Sequence, residues 1–95
     1  MDKIVHEGVR LRILTYLTAS EKPGVSFNEL QESLGLTSGN LSVQLKKLNT
    51  AGYVEIQKSF RRNKPHTRIQ MTKAGLDALK AYVAEMESLL SGLKF

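Results

Sequence analysis

Three residues, Gly35-Leu36-Thr37, separate two helical apolar patterns, and soon afterwards the hydrophobic period falls from helical to two. Ahead of this turn, Ser26-Phe27-Asn28-Glu29 has the S-x-x-E form of a capping box. In such a box the serine oxygen and the glutamate satisfy backbone N–H groups left free at a helix start. The spacing predicts a helix through Leu30 and Leu34, which Gly35 ends in the left-handed conformation. Past the turn, Thr37 or Ser38 caps a helix that continues to about Ala51 and stops at Gly52, with Leu41, Leu45 and Leu48 as its buried stripe. Two helices of this size joined by so short a glycine-containing turn form a helix-turn-helix.

The flanking segments complete the architecture. His6 to Thr18 reads as an earlier helix with Val9, Ile13, Leu14 and Leu17 on one side, broken at Pro23-Gly24. Val25 and Phe27 suit either a short strand or an apolar lead into the next helix. After Gly52, Val54 and Ile56 alternate with Glu55 and Gln57, and Ile69 and Met71 alternate with Arg68 and Gln70, as two antiparallel strands do. The polar, basic stretch Ser59–His66 lies between them as a hairpin tip. Pro65 has no N–H to give to a ladder and belongs at that tip or at an edge. Thr72 caps a last helix through about Leu93. Its apolar residues Leu76, Leu79, Val83, Met86, Leu90 and Leu93 follow steps of 3, 4, 3, 4, 3, the seam of a helix packed along a partner. The expected fold is α+β, mainly α: a three-helix core, a two-stranded β wing and a long C-terminal helix. Residues 1–75 form the winged DNA-binding unit and 76–95 the dimerisation helix, within one compact domain.

Charge is unevenly distributed. Residues 33–76 hold eight basic side chains (Lys46, Lys47, Lys58, Arg61, Arg62, Lys64, Arg68 and Lys73) against one acid, Glu55, while the segments on either side each sum to −1. A cationic middle between near-neutral ends is the footprint of polyanion binding. There is no cysteine, which excludes disulfides and thiolate metal sites. The N-terminus lacks the basic start and apolar run of a secretory signal, and no apolar stretch approaches the roughly 20 residues of a membrane span. The expected location is the cytoplasm.

The second helix of the pair, about 38–51, is the expected reading head. With its leucines facing the core, Ser38, Gly39, Asn40, Ser42, Val43, Gln44, Lys46 and Lys47 lie on exposed or flanking faces. Asn40 and Gln44, four apart, are amides able to pair with adenine N6 and N7 in the major groove. Ser38 and Ser42 suit phosphate or base contacts, Val43 a thymine methyl, and Lys46 and Lys47 phosphates. In the wing, 59–68, Arg61, Arg62, Lys64 and Arg68 suit a narrow minor groove or the phosphates beside it. The six seam residues of the last helix, Leu76 to Leu93, are the expected homodimer interface, which in turn predicts a palindromic operator on double-stranded DNA.

Leu36-Thr37-Ser38-Gly39-Asn40-Leu41-Ser42-Val43-Gln44-Leu45-Lys46-Lys47-Leu48, followed by Ala51-Gly52-Tyr53-Val54, resembles the recognition helix and strand start of MarR- and ArsR-type regulators. Lys64-Pro65-His66-Thr67-Arg68 with Met71-Thr72-Lys73-Ala74-Gly75 resembles a second signature of a compact group within that superfamily. The resemblance runs from about His6 to Leu90. It implies a homodimeric transcription factor whose DNA contacts fall on Ser38, Asn40, Ser42, Val43, Gln44 and the basic residues of the wing. Two features of the superfamily have no counterpart here: the cysteines of metal-sensing ArsR relatives, and the extra terminal helices that frame a ligand pocket in larger MarR proteins. The compact group more often carries histidine where Gln44 stands.

Enzymatic function is not expected. His6 and His66 lie apart, on the first helix and the wing. Glu29 and Glu32 are explained by capping and solvation, and glycine-rich phosphate loops and nucleophile elbows are absent. No cofactor is implied. The competing class is a protein-interaction module, in which the Leu76–Leu93 seam would bind a different chain.

Overall fold

The computed structural model describes residues 1–93; the last two positions of the expected 76–95 segment lie outside the described residues. Four helices and three strands follow in the order α1 (Gly8–Ala19), β1 (Val25–Ser26), α2 (Phe27–Leu34), α3 (Ser38–Thr50), β2 (Val54–Arg61), β3 (Lys64–Met71) and α4 (Lys73–Ser91). Each helix start follows from a side-chain cap. Ser26 Oγ accepts from Glu29 N at 3.0 Å, Thr37 Oγ1 from Asn40 N at 3.1 Å and Thr72 Oγ1 from Gly75 N at 3.0 Å. Such caps satisfy donors that the helix itself leaves without partners. Gly35, at φ 65°, ends α2 in the left-handed region where a side chain is disfavoured.

Only half of the expected capping box forms. The Glu29 carboxylate does not return to the backbone; it takes Lys22 Nζ at 2.8 Å and the Tyr16 hydroxyl at 2.6 Å. Lys22 first, then Tyr16, hold that carboxyl below the usual glutamate range. The acid thereby ties α2 to α1 and to the loop before β1.

The wing is part of a three-stranded antiparallel sheet, order β1-β3-β2, not an isolated two-stranded ribbon. Val25 pairs with Ile69 and Ser26 with Arg68, so the Val25 segment is a strand. The ladder of β2 and β3 runs unbroken from Val54↔Met71 to Arg61↔Lys64. The expected eight-residue tip therefore shrinks to two residues, Arg62 (φ 52°) and Asn63 (φ 63°). Positive φ at both central positions marks the turn whose twist matches the flanking strands. Arg61↔Lys64 closes a two-residue turn and is the hydrogen-bonded pair. The next pair, Phe60↔Pro65, points its backbone groups outward, where β1 has already ended. Pro65 is accommodated there because no neighbour asks for an N–H.

The core comprises Val5, Ile13, Leu14, Val25, Leu30, Leu41, Leu48, Val54 and Ile69, all essentially removed from solvent, with Leu17, Leu45, Leu79 and Tyr82 at its margin. These positions match the apolar stripes of α1 and α3. In α1, however, Arg10 is buried and Val9 only half-buried. Helix α4 packs across α1. Its first half covers the core through Leu79 and Tyr82, with Ala78 and Met86 against them. The six-residue seam is consequently divided: Leu79 is spent on the chain's own core, Leu76 and Met86 are half-buried, and Val83, Leu90 and Leu93 are exposed. Sequence spacing alone does not register this, because the stripe that covers α1 and the stripe left outward share one helix.

The N-terminal segment is tied down by Asp2. Its Oδ1 accepts from Ile4 N and Val5 N at 2.8 and 3.1 Å, and its Oδ2 from the Tyr53 hydroxyl at 2.5 Å. Burial pushes the Asp2 carboxyl up, but the Tyr53 hydroxyl and the two backbone N–H groups outweigh it and hold the group below the usual range. The same bond, with burial, raises the Tyr53 hydroxyl. No helix among the described residues is long and apolar enough to cross a membrane.

Candidate nucleic-acid interface

Helix α3 turns Leu41, Leu45 and Leu48 into the core and leaves Ser38, Gly39, Asn40, Ser42, Val43, Lys46 and Lys47 exposed. Seven of the eight positions expected on the reading head are thus open to a partner. Gln44 is the exception. It is half-buried, accepting from Arg10 Nη1 at 2.7 Å through Oε1 and donating to Asn40 Oδ1 at 3.2 Å through Nε2. Its solvent-side capacity is shared with the protein interior.

The unbroken ladder settles the two faces of the wing. Side chains alternate across a strand, so Val54, Ile56, Lys58 and Phe60 share a face with Pro65, Thr67, Ile69 and Met71. Val54 and Ile69 are buried, which makes this the face turned toward α3. The other face carries Arg61, Lys64 and Arg68, together with His66. Of the four wing residues singled out from the sequence, three therefore lie on the side away from α3, and Arg62 sits in the turn itself. Strand parity thus separates these cations from the α3 face of the hairpin. Arg68 is half-buried and lies over the backbone of Gly24: a Cβ added there would come within 2.4 Å of its Nε.

Lys58, outside the wing residues expected to contact DNA, lies on the face turned toward α3. It lines an open cleft of about 450 Å³ between α3 and the wing with Ser42, Lys46, Asn49 and Thr67, over a floor of Phe27, Leu45 and Ile56. The even spacing of Val54, Ile56 and Lys58 carried the signal, since it continues the core face of β2 out of the core. Phe60 extends the same face and is 77% exposed, an aromatic ring held out near the turn. Three ion pairs occur among the described residues: Met1 with Glu85, Arg10 with Glu7 and Lys22 with Glu29. None involves a cation of α3, β2 or β3. Those cations have no acidic partner within ion-pair distance among the described residues.

The sequence of residues 9–90 matches the profile of a family described as the winged helix DNA-binding domain. An uncharacterized protein of Methanocaldococcus jannaschii is 39% identical over 92 residues, covering 97% of this chain and 98% of that one. A structure described as a transcriptional regulator homologue from Pyrococcus horikoshii OT3 superposes with a TM-score of 0.87 at 27% identity, over 97% of this chain and 89% of that one. The S. aureus MepR–DNA complex shares the fold, with a TM-score of 0.76 at 17% identity over 92% of this chain and 69% of the other. The chain belongs to the winged helix DNA-binding domain family, and its compact winged helix-turn-helix fold is shared with the transcriptional regulator homologue of Pyrococcus horikoshii.

Proposed function

We propose that the protein is a sequence-specific, double-stranded DNA-binding transcriptional regulator that works as a homodimer and represses by covering a promoter. The observation that carries this reading is the cleft between α3 and the wing, flanked by Lys46 and Lys58, with no acid paired to any cation of the three surrounding elements. The exposed N-terminal half of α3 enters the major groove, Ser38, Gly39, Asn40, Ser42, Val43 and Gln44 toward base edges and Lys46 and Lys47 toward phosphates. The wing lies along the adjacent strand, with Arg62 in the turn and Arg61, Lys64 and Arg68 on its outer side facing phosphates or the minor groove. Family membership and the MepR–DNA complex, a protein of the same fold bound to DNA, support the arrangement.

The dimer is supported by α4. Leu89 and Leu90 near the end of the helix and Leu93 just beyond it are each more than half exposed, and Val83, between Tyr82 and Met86, nearly so. A second copy placed against this stripe buries apolar surface that water otherwise solvates. Two-fold symmetry then presents two copies of α3 to half-sites about 34–36 Å apart, hence a palindromic operator.

Selection of bound duplexes from a random library, combined with sedimentation of the free protein, tests the proposal. The expected results are a two-fold symmetric consensus, a dimer in solution, and an affinity that drops roughly 10³–10⁵-fold between 50 and 200 mM salt if 6–10 phosphates are neutralised. A monomer that enriches no sequence sinks the reading and favours an adaptor that binds another protein through α4.

A further inference from the structure

Arg10 stands on α1 where an apolar residue would ordinarily face the core, and it is only 8% exposed. A guanidinium taken out of water must find acceptors. Its Nε donates to the Ile4 carbonyl oxygen at 2.7 Å, while Nη1 lies 3.6 Å from Glu7 Oε2 and donates to Gln44 Oε1 at 2.7 Å. Arginine carries donors and no acceptor, so the Gln44 amide can meet it only through oxygen. The Gln44 NH2 group is thereby directed along α3, where it donates to Asn40 Oδ1 at 3.2 Å. That bond engages the oxygen of an exposed amide one turn nearer the start of the helix. Donation runs in one direction, from the interior through Gln44 to the surface, and it ends on the Asn40 Nδ2 hydrogens.

We propose that Arg10 sets the hydrogen-bond polarity of the α3 reading face, so that Asn40 and Gln44 present donors and select base-edge acceptors. The favoured edges are guanine O6/N7 and thymine O4; the amino groups of adenine and cytosine are disfavoured. The inference rests on the reading of α3 as the base-contacting helix. It departs from the expectation for unconstrained amides, which pair with adenine by accepting from N6 while donating to N7. With both amide oxygens already accepting from protein donors, Gln44 from Arg10 and Asn40 from Gln44, the acceptor half of that contact is weakened and the donor half remains. Arg10 touches no DNA in this scheme; it is a positioning residue.

The test is duplex selection with the wild-type protein, Arg10→Met and Gln44→Glu, followed by fluorescence anisotropy on the selected site and its single-base variants at one salt concentration. The base facing Asn40 is identified as the one whose preference is lost in Asn40→Ala. Gln44→Glu keeps the buried arginine paired, because a carboxylate accepts from it as the amide oxygen does. It cannot donate to Asn40, whose amide then turns its NH2 inward and its oxygen outward. The wild type is expected to select guanine or thymine at that base. Arg10→Met should lower discrimination there on the order of tenfold while leaving positions not faced by Asn40 or Gln44 intact. Gln44→Glu should bind more weakly overall and move the selection toward adenine or cytosine. If circular dichroism shows Arg10→Met unfolded, Gln44→Glu alone decides. Unchanged discrimination in folded, DNA-binding variants overturns the relay and leaves the DNA-binding reading standing. Failure of the wild type to bind any duplex overturns both.

Discussion

A Cβ added to Gly75 would lie 2.2 Å from the carbonyl oxygen of Tyr53, so the start of α4 sits directly on the backbone that leads into β2. Thr72 fastens the same junction: its N–H donates to Tyr53 O at 3.1 Å and its Oγ1 to Gly52 O at 2.7 Å. Backbone cannot yield as a flexible side chain can. Gly75→Ala is therefore expected to cost about 1–3 kcal/mol, lowering the melting temperature by roughly 4–8 °C per kcal/mol. Gly39→Ala, where a Cβ meets nothing within 4 Å, should be neutral or stabilising by up to about 1 kcal/mol. Thermal unfolding followed by circular dichroism compares the two.

The Asp2–Tyr53 bond predicts a loss of stability at both extremes of pH. The Asp2 carboxyl is lower in the folded state than its unfolded value of about 3.9, so its contribution is complete above that value and disappears as pH falls through the folded value. The Tyr53 hydroxyl is raised above its unfolded value of about 10, so its contribution is present below that value and is lost as pH rises through the folded one. Tyr53→Phe should be less stable by about 1 kcal/mol at neutral pH. In denaturant titrations it should also lose the alkaline decline and part of the acid one.

Strand parity ranks the wing cations. Lys58, on the α3 side of the hairpin, should matter more to DNA affinity than Arg68, which lies folded over Gly24. Lys58→Ala is expected to weaken binding to all duplexes alike and to reduce the salt slope by about one per protomer. Arg68→Ala should do markedly less. The reverse order in anisotropy titrations would make the outer face of the wing, rather than the α3 face, the main phosphate contact.

The wing turn is a compromise between folding and charge. Arg62 adopts positive φ, a conformation costing a side-chain-bearing residue roughly 1–2 kcal/mol, while Asn-Gly is the pair such turns favour. The double replacement Arg62→Asn with Asn63→Gly should raise stability by about 1 kcal/mol and weaken DNA binding. Urea unfolding and anisotropy on the same preparation read the two effects with opposite sign.

The two halves of α4 should separate on mutation. Leu79→Ala removes a core contact and is expected to destabilise the fold by about 2–5 kcal/mol. Leu90→Glu places charge in the exposed stripe and should turn the proposed dimer into a monomer in sedimentation experiments. A monomer of Leu90→Glu that melts far below the wild-type subunit would contradict the division drawn between the two halves.

What the chain determined by itself is the set of elements and their ends. Capping, left-handed glycines and apolar periods are local, each read within a few residues, and Ser26, Gly35, Thr37 and Thr72 act where their neighbours alone would place them. The tertiary structure alone decided which side chains share a surface. Burial of Arg10 and its bond to Gln44 join positions 34 residues apart, and no local pattern distinguishes that arginine from a solvated one. The register of β2 on β3 put Lys58 beside α3 and Arg61, Lys64 and Arg68 on the far side, because a side chain's face depends on the parity of an entire ladder. The crossing of α4 over α1 likewise chose which leucines the core consumed and which remained for a partner. Distance along a chain sets conformation; packing sets company.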